Sequence, residues 1–228
     1  KQRRRQGLPL VALVGYTTAG KSTLFNSLTA ADVLVEDRLF ATLDSTVRKL
    51  ELPGGVEALA SDTVGFVRRL PHQLVESFRA TLEEVQDADL MLHVVDDAEE
   101  DPDAQAEAVR AVLSEIGAGD VPELMVFNKS DIAPAAAVNR LLGLNEGSVA
   151  LSAVTGEGIT SLLETVVHEL SKGSVEVELL VPYSAGDVVD RVYRLGEVIK
   201  RADEAGGTRI TARIPADDVA RFAAYESA

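Results

Sequence analysis

The stretch Val11 to Leu24, VALVGYTTAGKSTL, narrows the folds open to this sequence more than any other, because it joins a continuous apolar run to a turn built for an anion. Gly15, Gly20, Lys21 and Ser22 satisfy the spacing G-x-x-x-x-G-K-[ST]. That pattern needs its glycines because the backbone must wrap closely round the anion and aim successive N–H groups inward, where side chains would obstruct it. Lys21 adds a point charge against the outer phosphates of a nucleotide. Ser22 opens the following helix, where its hydroxyl can reach Mg²⁺ while the positive end of the helix dipole faces the phosphates. The apolar residues Leu10 to Val14 supply the strand that this context requires. A nucleoside triphosphate is therefore the expected ligand, on an α/β P-loop NTPase fold.

At 228 residues and 46% hydrophobic content, the chain can bury one large domain and a small one. No apolar run approaches the roughly 20 residues that span a bilayer, so no membrane-spanning segment is expected. Cysteine is absent, which excludes disulfides and thiolate metal sites and fits a cytoplasmic setting. The formal net charge of −15 argues against a broad basic face for nucleic acid, and no DNA partner is expected. Against that acidic background the first residues, KQRRRQGL, read as the basic stub (residues 1–8) of an upstream element, with Arg3, Arg4 and Arg5 on a solvated helix end or tail.

Beyond the first helix, from Lys21 to about Ala31, Val33 to Ser45 has little periodicity and reads as a mobile loop. Thr46 to Leu52, the turn Pro53-Gly54-Gly55 and Val56 to Asp62 predict a hairpin. Pro71 to Gln86 carries a helical apolar stripe, and Leu90 to Val95 is a buried strand. Helices are expected over Pro102–Ile116, Ala135–Leu142 and Ile159–Leu170, alternating with strands at Leu124–Phe127 and Val149–Leu151. Such alternation indicates a mostly parallel sheet covered by helices on both faces, with ligands at the carboxyl ends of its strands. This nucleotide-binding domain spans residues 9–172. After Ser171-Lys172-Gly173-Ser174 the character changes. Val175 to Val181 alternates as a strand, a helical stretch runs through Val188, Val189, Val192, Leu195 and Ile199, Arg209 to Ile214 forms a second strand, and Asp217 to Ala224 closes as a helix. Residues 173–228 thus read as a small β-α-β-α domain of α+β type. It is too small for much independent stability, and so is expected to dock.

Asn128-Lys129-Ser130-Asp131 follows directly from a buried strand. A carboxylate can accept hydrogen bonds from both N1–H and the exocyclic amine of guanine, whereas adenine offers neither donor there, so Asp131 reads as the guanine reader. Asn128 braces the loop and Lys129 lies along the base plane. Asp62-Thr63-Val64-Gly65 ends another strand, giving a carboxylate for Mg²⁺ through water and a glycine N–H for the terminal phosphate. Thr42, in FATLD, is the candidate second hydroxyl on the metal. Ser152-Ala153 can present a backbone N–H to the guanine O6. Taken in this order, the pieces from Leu8 to Lys172 resemble a small GTPase with a Ras-like G domain.

GYTTAGKSTLFN, FATLDSTVR, DTVGFVRRLP, NKSD and SAVTG together resemble, more narrowly, the HflX family of ribosome-associated GTPases. The resemblance implies a GTP-hydrolysing switch that uses Mg²⁺, binds the large ribosomal subunit and acts in splitting or rescue of stalled or idle ribosomes; a monomer is expected, and the alternatives are a GTP- or GDP-binding module with negligible turnover and a P-loop ATPase. It also implies roles for individual residues. Gly15, Tyr16, Thr17, Thr18, Ala19, Gly20, Lys21, Ser22 and Thr23 hold the phosphates. Ser22 and Thr42 bind the metal, with Asp62 behind a water. Asn128, Lys129, Asp131, Ser152 and Ala153 hold the base, and Lys21, Thr42 and Gly65 serve catalysis. The glycine-rich upstream domain through which the family contacts the ribosome has no counterpart in these residues.

Three positions depart from the family's usual residues. Thr18 replaces an asparagine that helps hold potassium in related GTPases, Ser45 replaces proline, and Val154 replaces a lysine or similar residue. Phe66 stands where many GTPases carry a water-orienting glutamine, and phenylalanine has no group for that task. His72, His93 and His168 show no metal spacing and read as structural or surface residues. The acidic run Asp96 to Asp103 reads as an exposed loop and helix start. Arg68 and Arg69 read as a solvated face or a partner contact.

Overall fold

In the computed structural model, residues 8–29, 46–63, 65, 84–99 and 101–227 are described. The predicted loop 33–45 with Thr42 and Ser45, most of the helix 71–86, and Phe66, Arg68, Arg69 and His72 lie outside them. Six strands form one sheet in the order β2-β3-β1-β4-β5-β6. These are β1 (Leu10–Gly15), β2 (Thr46–Glu51), β3 (Glu57–Asp62), β4 (Leu90–Asp96), β5 (Glu123–Asn128) and β6 (Val149–Ala150). β2 and β3 are the antiparallel hairpin, paired from Thr46↔Asp62 to Glu51↔Glu57, and the remaining neighbours are parallel.

Both faces are covered because each central strand is apolar on both sides, as parallel strands under helices must be. On one face Val11, Leu13, Leu92 and Val94 pack with Leu24 and Phe25 of α1 (Lys21–Thr29) and with Leu162 and Val166 of the Ile159–Ser171 helix. On the other, Ala12, Val14 and Met91 meet Val109 and Leu113 of α2 (Pro102–Glu115). Leu141 of α3 (Ala135–Leu144) joins Phe127 and Met125 further along. The Ile159–Ser171 helix is α4. Asp101 caps α2 by accepting from the Ala104 N–H, at 3.1 Å, which starts that helix where an acidic residue suits the dipole.

The C-terminal segment differs from the expected order. It carries β7 (Ser174–Val181), α5 (Gly186–Leu195), β8 (Glu197–Glu204), β9 (Gly207–Pro215), a one-turn helix α6 (Ala216–Val219) and a 3-10 segment, Ala220–Tyr225. The three strands form an antiparallel sheet in the order β7-β9-β8. The β-α-β-α reading is thus corrected, since Ile199 belongs to an extra strand and not to the helix. Ile199 continues the 3.6-residue spacing from Val192 and Leu195, but the chain is already extended at Gly196. A Cβ there would run into the Arg213 carbonyl, so the glycine lets β8 start hard against β9. The pairing then shifts register between Val198 and Lys200, leaving Ile199 at an irregularity and 46% exposed. Arg209 bridges Glu178 and Glu204, both at 2.6 Å. Arg213, although opposite Glu176 in register, pairs with Glu197 at 3.2 Å.

The core of this second sheet is Val177, Leu179, Val188, Val192, Ile210 and Phe222, and it includes Leu8 from ahead of β1. Leu59 of β3 packs against the same cluster, and its N–H donates to the Pro9 carbonyl at 2.8 Å. The two sheets therefore share apolar contacts along the outer side of β3.

Candidate nucleotide site

The turn between β1 and α1 sits at the carboxyl edge of the six-stranded sheet. A Cβ on Gly15 would strike the Val94 carbonyl of β4, and one on Gly20 would strike Nδ2 of Asn128, so neither position admits a side chain. Gly20 also has φ +87 and Thr18 has φ +73, the left-handed backbone that curls a phosphate-binding turn. A β-branched residue pays for that conformation in strain. Thr17 is buried while Thr18 is exposed.

Lys21, the first residue of α1, is buried and donates from Nζ to the Tyr16 carbonyl at 2.9 Å. Its ammonium thus lies over the turn rather than in solvent. Burial pulls its pKa down to about 8, with the Asp62 charge acting in the opposite sense. Ser22 Oγ donates to Asp62 Oδ2 at 2.7 Å, joining the start of α1 to the end of β3. Gly65 follows closely, since a Cβ on it would meet Thr17 Cγ2 at 2.7 Å and Lys21 Nζ at 3.1 Å. Between them, Thr63 Oγ1 donates to the Leu13 carbonyl at 2.5 Å and pins this segment to β1.

Asn128 ends β5 fully buried, and its carboxamide joins three loops. Nδ2 donates to the Ala19 carbonyl at 2.8 Å, and Oδ1 accepts the Ala153 N–H at 3.0 Å. The Ala153 N–H expected to face guanine O6 is therefore engaged by Asn128, and the Ser152 N–H donates to the Glu157 carbonyl at 2.9 Å. Ser152 Oγ accepts from the Thr155 N–H at 3.1 Å and closes the SAVTG turn. Lys129 has φ +69, and its Nζ meets Asp96 Oδ2 at 2.5 Å. Asp131 is exposed, as is Val154, whose side chain stands 80% open beside Ala153.

Asp96 is the residue that sequence reasoning misses. The acidic run that it opens reads as exposed, but Asp96 and Asp97 are 5% and 2% exposed, and only the later residues form the helix start. Asp96 Oδ1 accepts the Ala98 N–H at 3.0 Å, while the Asp97 N–H donates to the Asn128 carbonyl at 2.9 Å. Both carboxylate oxygens of Asp97 are buried without a hydrogen bond among the described residues. Burial, reinforced by the neighbouring Asp96 charge, pushes its pKa up. The end of β4 thus clasps the start of the NKSD turn. The other buried ionisable residue of β4, His93, lies back along the strand, with Nδ1 2.5 Å from Glu123 Oε1, and Arg110 meets the same carboxylate at 3.0 Å. Among the described residues no group of three or more His, Cys, Asp or Glu is placed to hold a metal ion.

A family model described as "50S ribosome-binding GTPase" matches residues 10–129, which include the phosphate turn and the start of the NKSD turn, and one described as "HflX C-terminal domain" matches residues 137–223. The chain belongs to the HflX GTPase family. Within that family it is 44% identical to GTPase HflX of Caldanaerobacter subterraneus subsp. tengcongensis, over 94% of this chain and 49% of that protein. It is 40% identical to GTPase HflX of Escherichia coli K12, over 100% of this chain and 54% of that protein. The chain spans about half the length of the curated HflX relatives it matches. Among solved structures, a GTP-binding protein from Sulfolobus solfataricus in complex with GDP superposes with a TM-score of 0.57 at 25% identity, covering 72% of this chain and 53% of that one. A single-residue variant of Aquifex aeolicus Era bound to GDP·AlF4− gives a TM-score of 0.57 at 22% identity, over 88% of this chain and 75% of that one. That second likeness extends to the fold alone. The family accounts for the P-loop, NKSD and SAVTG turns lying at one sheet edge, and for the small sheet that follows them.

Proposed function

We propose that this chain is the GTP-binding and GTP-hydrolysing part of a ribosome-associated switch of HflX type, acting with the large subunit in the splitting or rescue of stalled or idle ribosomes. Residues 9–172 form its G domain and 173–228 a small accessory domain, after a basic stub at 1–8. The observation that carries the nucleotide reading is Asn128, which ties the phosphate turn at Ala19 to the SAVTG turn at Ala153. A ligand that has to satisfy both turns at once must carry phosphates at one end and a base at the other.

Lys21 supplies positive charge to the outer phosphates, and the N–H groups of residues 15–23 cradle them. The buried Asp62 beside the Ser22 hydroxyl is an all-oxygen donor pair that suits a hard divalent cation. Ser22 would hold Mg²⁺ with Thr42, and Asp62 would act through water; when bound, the ion neutralises charge on the phosphates. Gly65 offers its N–H to the terminal phosphate. Asp131 reads the guanine edge, Lys129 lies along the base, and Ser152 and Ala153 line its far side through the turn that Asn128 holds. Phe66 cannot orient the attacking water, so hydrolysis by the chain alone is slow, at or below the order of 10⁻² s⁻¹ of self-sufficient GTPases, until a partner completes the site. The protein works as a cytoplasmic monomer.

Displacement of a fluorescent GDP analogue, followed by single-turnover hydrolysis with and without large ribosomal subunits, tests this reading. GTP and GDP should displace the analogue while ATP at equal concentration does not, because adenine offers Asp131 neither of the two donors that guanine presents. Asp131→Asn should shift preference toward xanthine nucleotides. Unchanged GTP preference in that variant would remove the base assignment, and turnover that ribosomal subunits leave unaltered would reduce the chain to a nucleotide-binding module.

A further inference from the structure

Where the hairpin of the large sheet meets the C-terminal segment, the molecule carries a cleft of about 600 Å³. Leu8, Leu59 and Leu195 form its apolar floor. Around them stand Lys49 of β2, Arg191 and Arg194 of α5, and Arg221 of the 3-10 segment, with Glu57 as the single carboxylate. Four of the eight lining residues are thus cations, in a chain that has 22 Lys and Arg against 37 Asp and Glu. So local a reversal of sign is not the average surface of this protein.

The bland explanation is that these cations fasten the two sheets together. The ion pairs argue otherwise. Arg191 pairs with Asp187 at 3.1 Å and Arg221 with Asp218 at 3.3 Å, each within its own short stretch of chain and not across the cleft. Lys49 takes Glu57 at 2.7 Å on its own hairpin, and Arg194 has no ion-pair partner among the described residues. Among the described residues, no ion pair therefore joins a cation of one wall to an acid of the other. The side chains of Lys49, Arg191 and Arg221 are about half in water, at 51%, 44% and 47% exposure. Pairs this exposed contribute little and leave most N–H donors of each guanidinium open to another anion.

We propose that this cleft binds an RNA phosphodiester backbone. Three guanidiniums and one ammonium, drawn from separate elements around one opening, suit a ligand that carries several anionic oxygens at intervals, and guanidinium forks match phosphate geometry. The choice of RNA over an acidic peptide rests on the proposed ribosome association, since ribosomal RNA is the polyanion that reading supplies. The nucleotide cradle lies elsewhere, at the carboxyl edge of the large sheet, so the two sites can be tested separately.

The test measures anisotropy of a fluorescein-labelled 20-nucleotide single-stranded RNA with the full chain at 50 and 200 mM KCl. Wild type should bind with affinity that falls with salt. Arg191→Gln/Arg194→Gln should weaken binding about tenfold or more and reduce the salt slope by about one for each phosphate no longer engaged. GDP affinity and melting temperature should stay unchanged. Lys49→Gln, on the opposite wall, gives the same result independently should the double variant fold poorly. Absence of RNA binding by wild type, or equal binding by the folded variants, would overturn the proposal, as would polyglutamate of equal charge competing as well as unlabelled RNA. Co-sedimentation of the wild type with large ribosomal subunits reports on the ribosome reading alone, so failure of either is recognised separately.

Discussion

Lys129 Nζ lies 2.5 Å from Asp96 Oδ2, an ion pair that reaches from the end of β4 to the residue after β5. Asp96 is buried and its other oxygen is held by the Ala98 N–H, so the lysine is fixed by a partner that is itself fixed. Asp96→Asn should loosen Lys129 while leaving the phosphate turn intact. GDP affinity is expected to fall about tenfold, or about 1.4 kcal/mol, whereas the affinity for pyrophosphate, which has no base, should not change. Equal losses for both ligands would show that Asp96 supports the whole edge and not the base lysine.

Asp97 beside it is a liability of the opposite kind. Its carboxylate is buried without a hydrogen bond among the described residues, and burial together with Asp96 raises its pKa above the unfolded value. An acid shifted in that direction destabilises the fold at neutral pH, and the penalty disappears as pH falls through the raised pKa to below the unfolded one. Asp97→Asn should therefore raise the melting temperature at pH 7, by about 2–4 °C for each kcal/mol recovered, with the advantage gone near pH 3. A gain that persists unchanged in acid would mean that something other than this ionisation was relieved.

Nucleotide binding should carry a proton with it at high pH. Lys21 has its pKa lowered to about 8, below its unfolded value of about 10.4, so the cost of a charged Lys21 is fully present below pH 8 and disappears as pH rises past 10.4. Phosphates hold the ammonium charged. Above pH 8 each nucleotide bound must then take up a proton, and affinity should drop by up to about tenfold per pH unit. Calorimetric titration of GDP in two buffers of different ionisation enthalpy measures the uptake. Coincident enthalpies at pH 9 would remove Lys21 as the acceptor.

Asn128→Ala should cost more than a surface change. It leaves the Ala19 carbonyl and the Ala153 N–H, both in buried residues, without the partner they have now. Each such group costs about 1–3 kcal/mol, so the melting temperature should fall by several degrees and GDP affinity should fall with it. Normal stability with lost GDP affinity would mean that the bridge acts only on the ligand.

The legible parts of this chain are those where one physical requirement writes itself locally. β1 is apolar up to its closing glycine, and β4 and β5 are apolar but for His93 and their polar ends, because helices cover both faces, and the glycine spacing of the phosphate turn follows from backbone that has no room for Cβ. β8 is not legible. Glu197 to Glu204 is mostly exposed and polar, so no alternation marks it, and Ile199 falls by chance on the period of the preceding helix. Asp96 is hidden for a different reason. An acid among acids looks solvated, and nothing near it in the chain announces that a lysine 33 residues later returns to it.

Leu8 and Leu59 complete a core whose other members all come from residue 177 onward. The three-stranded sheet therefore cannot be dry without the strand that ends at Asp62, and heat should find no intermediate in which one sheet has melted and the other has not. A calorimetric scan is expected to show one transition with equal van't Hoff and calorimetric enthalpies. Ligand bound at the phosphate turn would raise the midpoint of that single transition. Protease resistance in the C-terminal segment would then rise with the concentration of a nucleotide that never touches it.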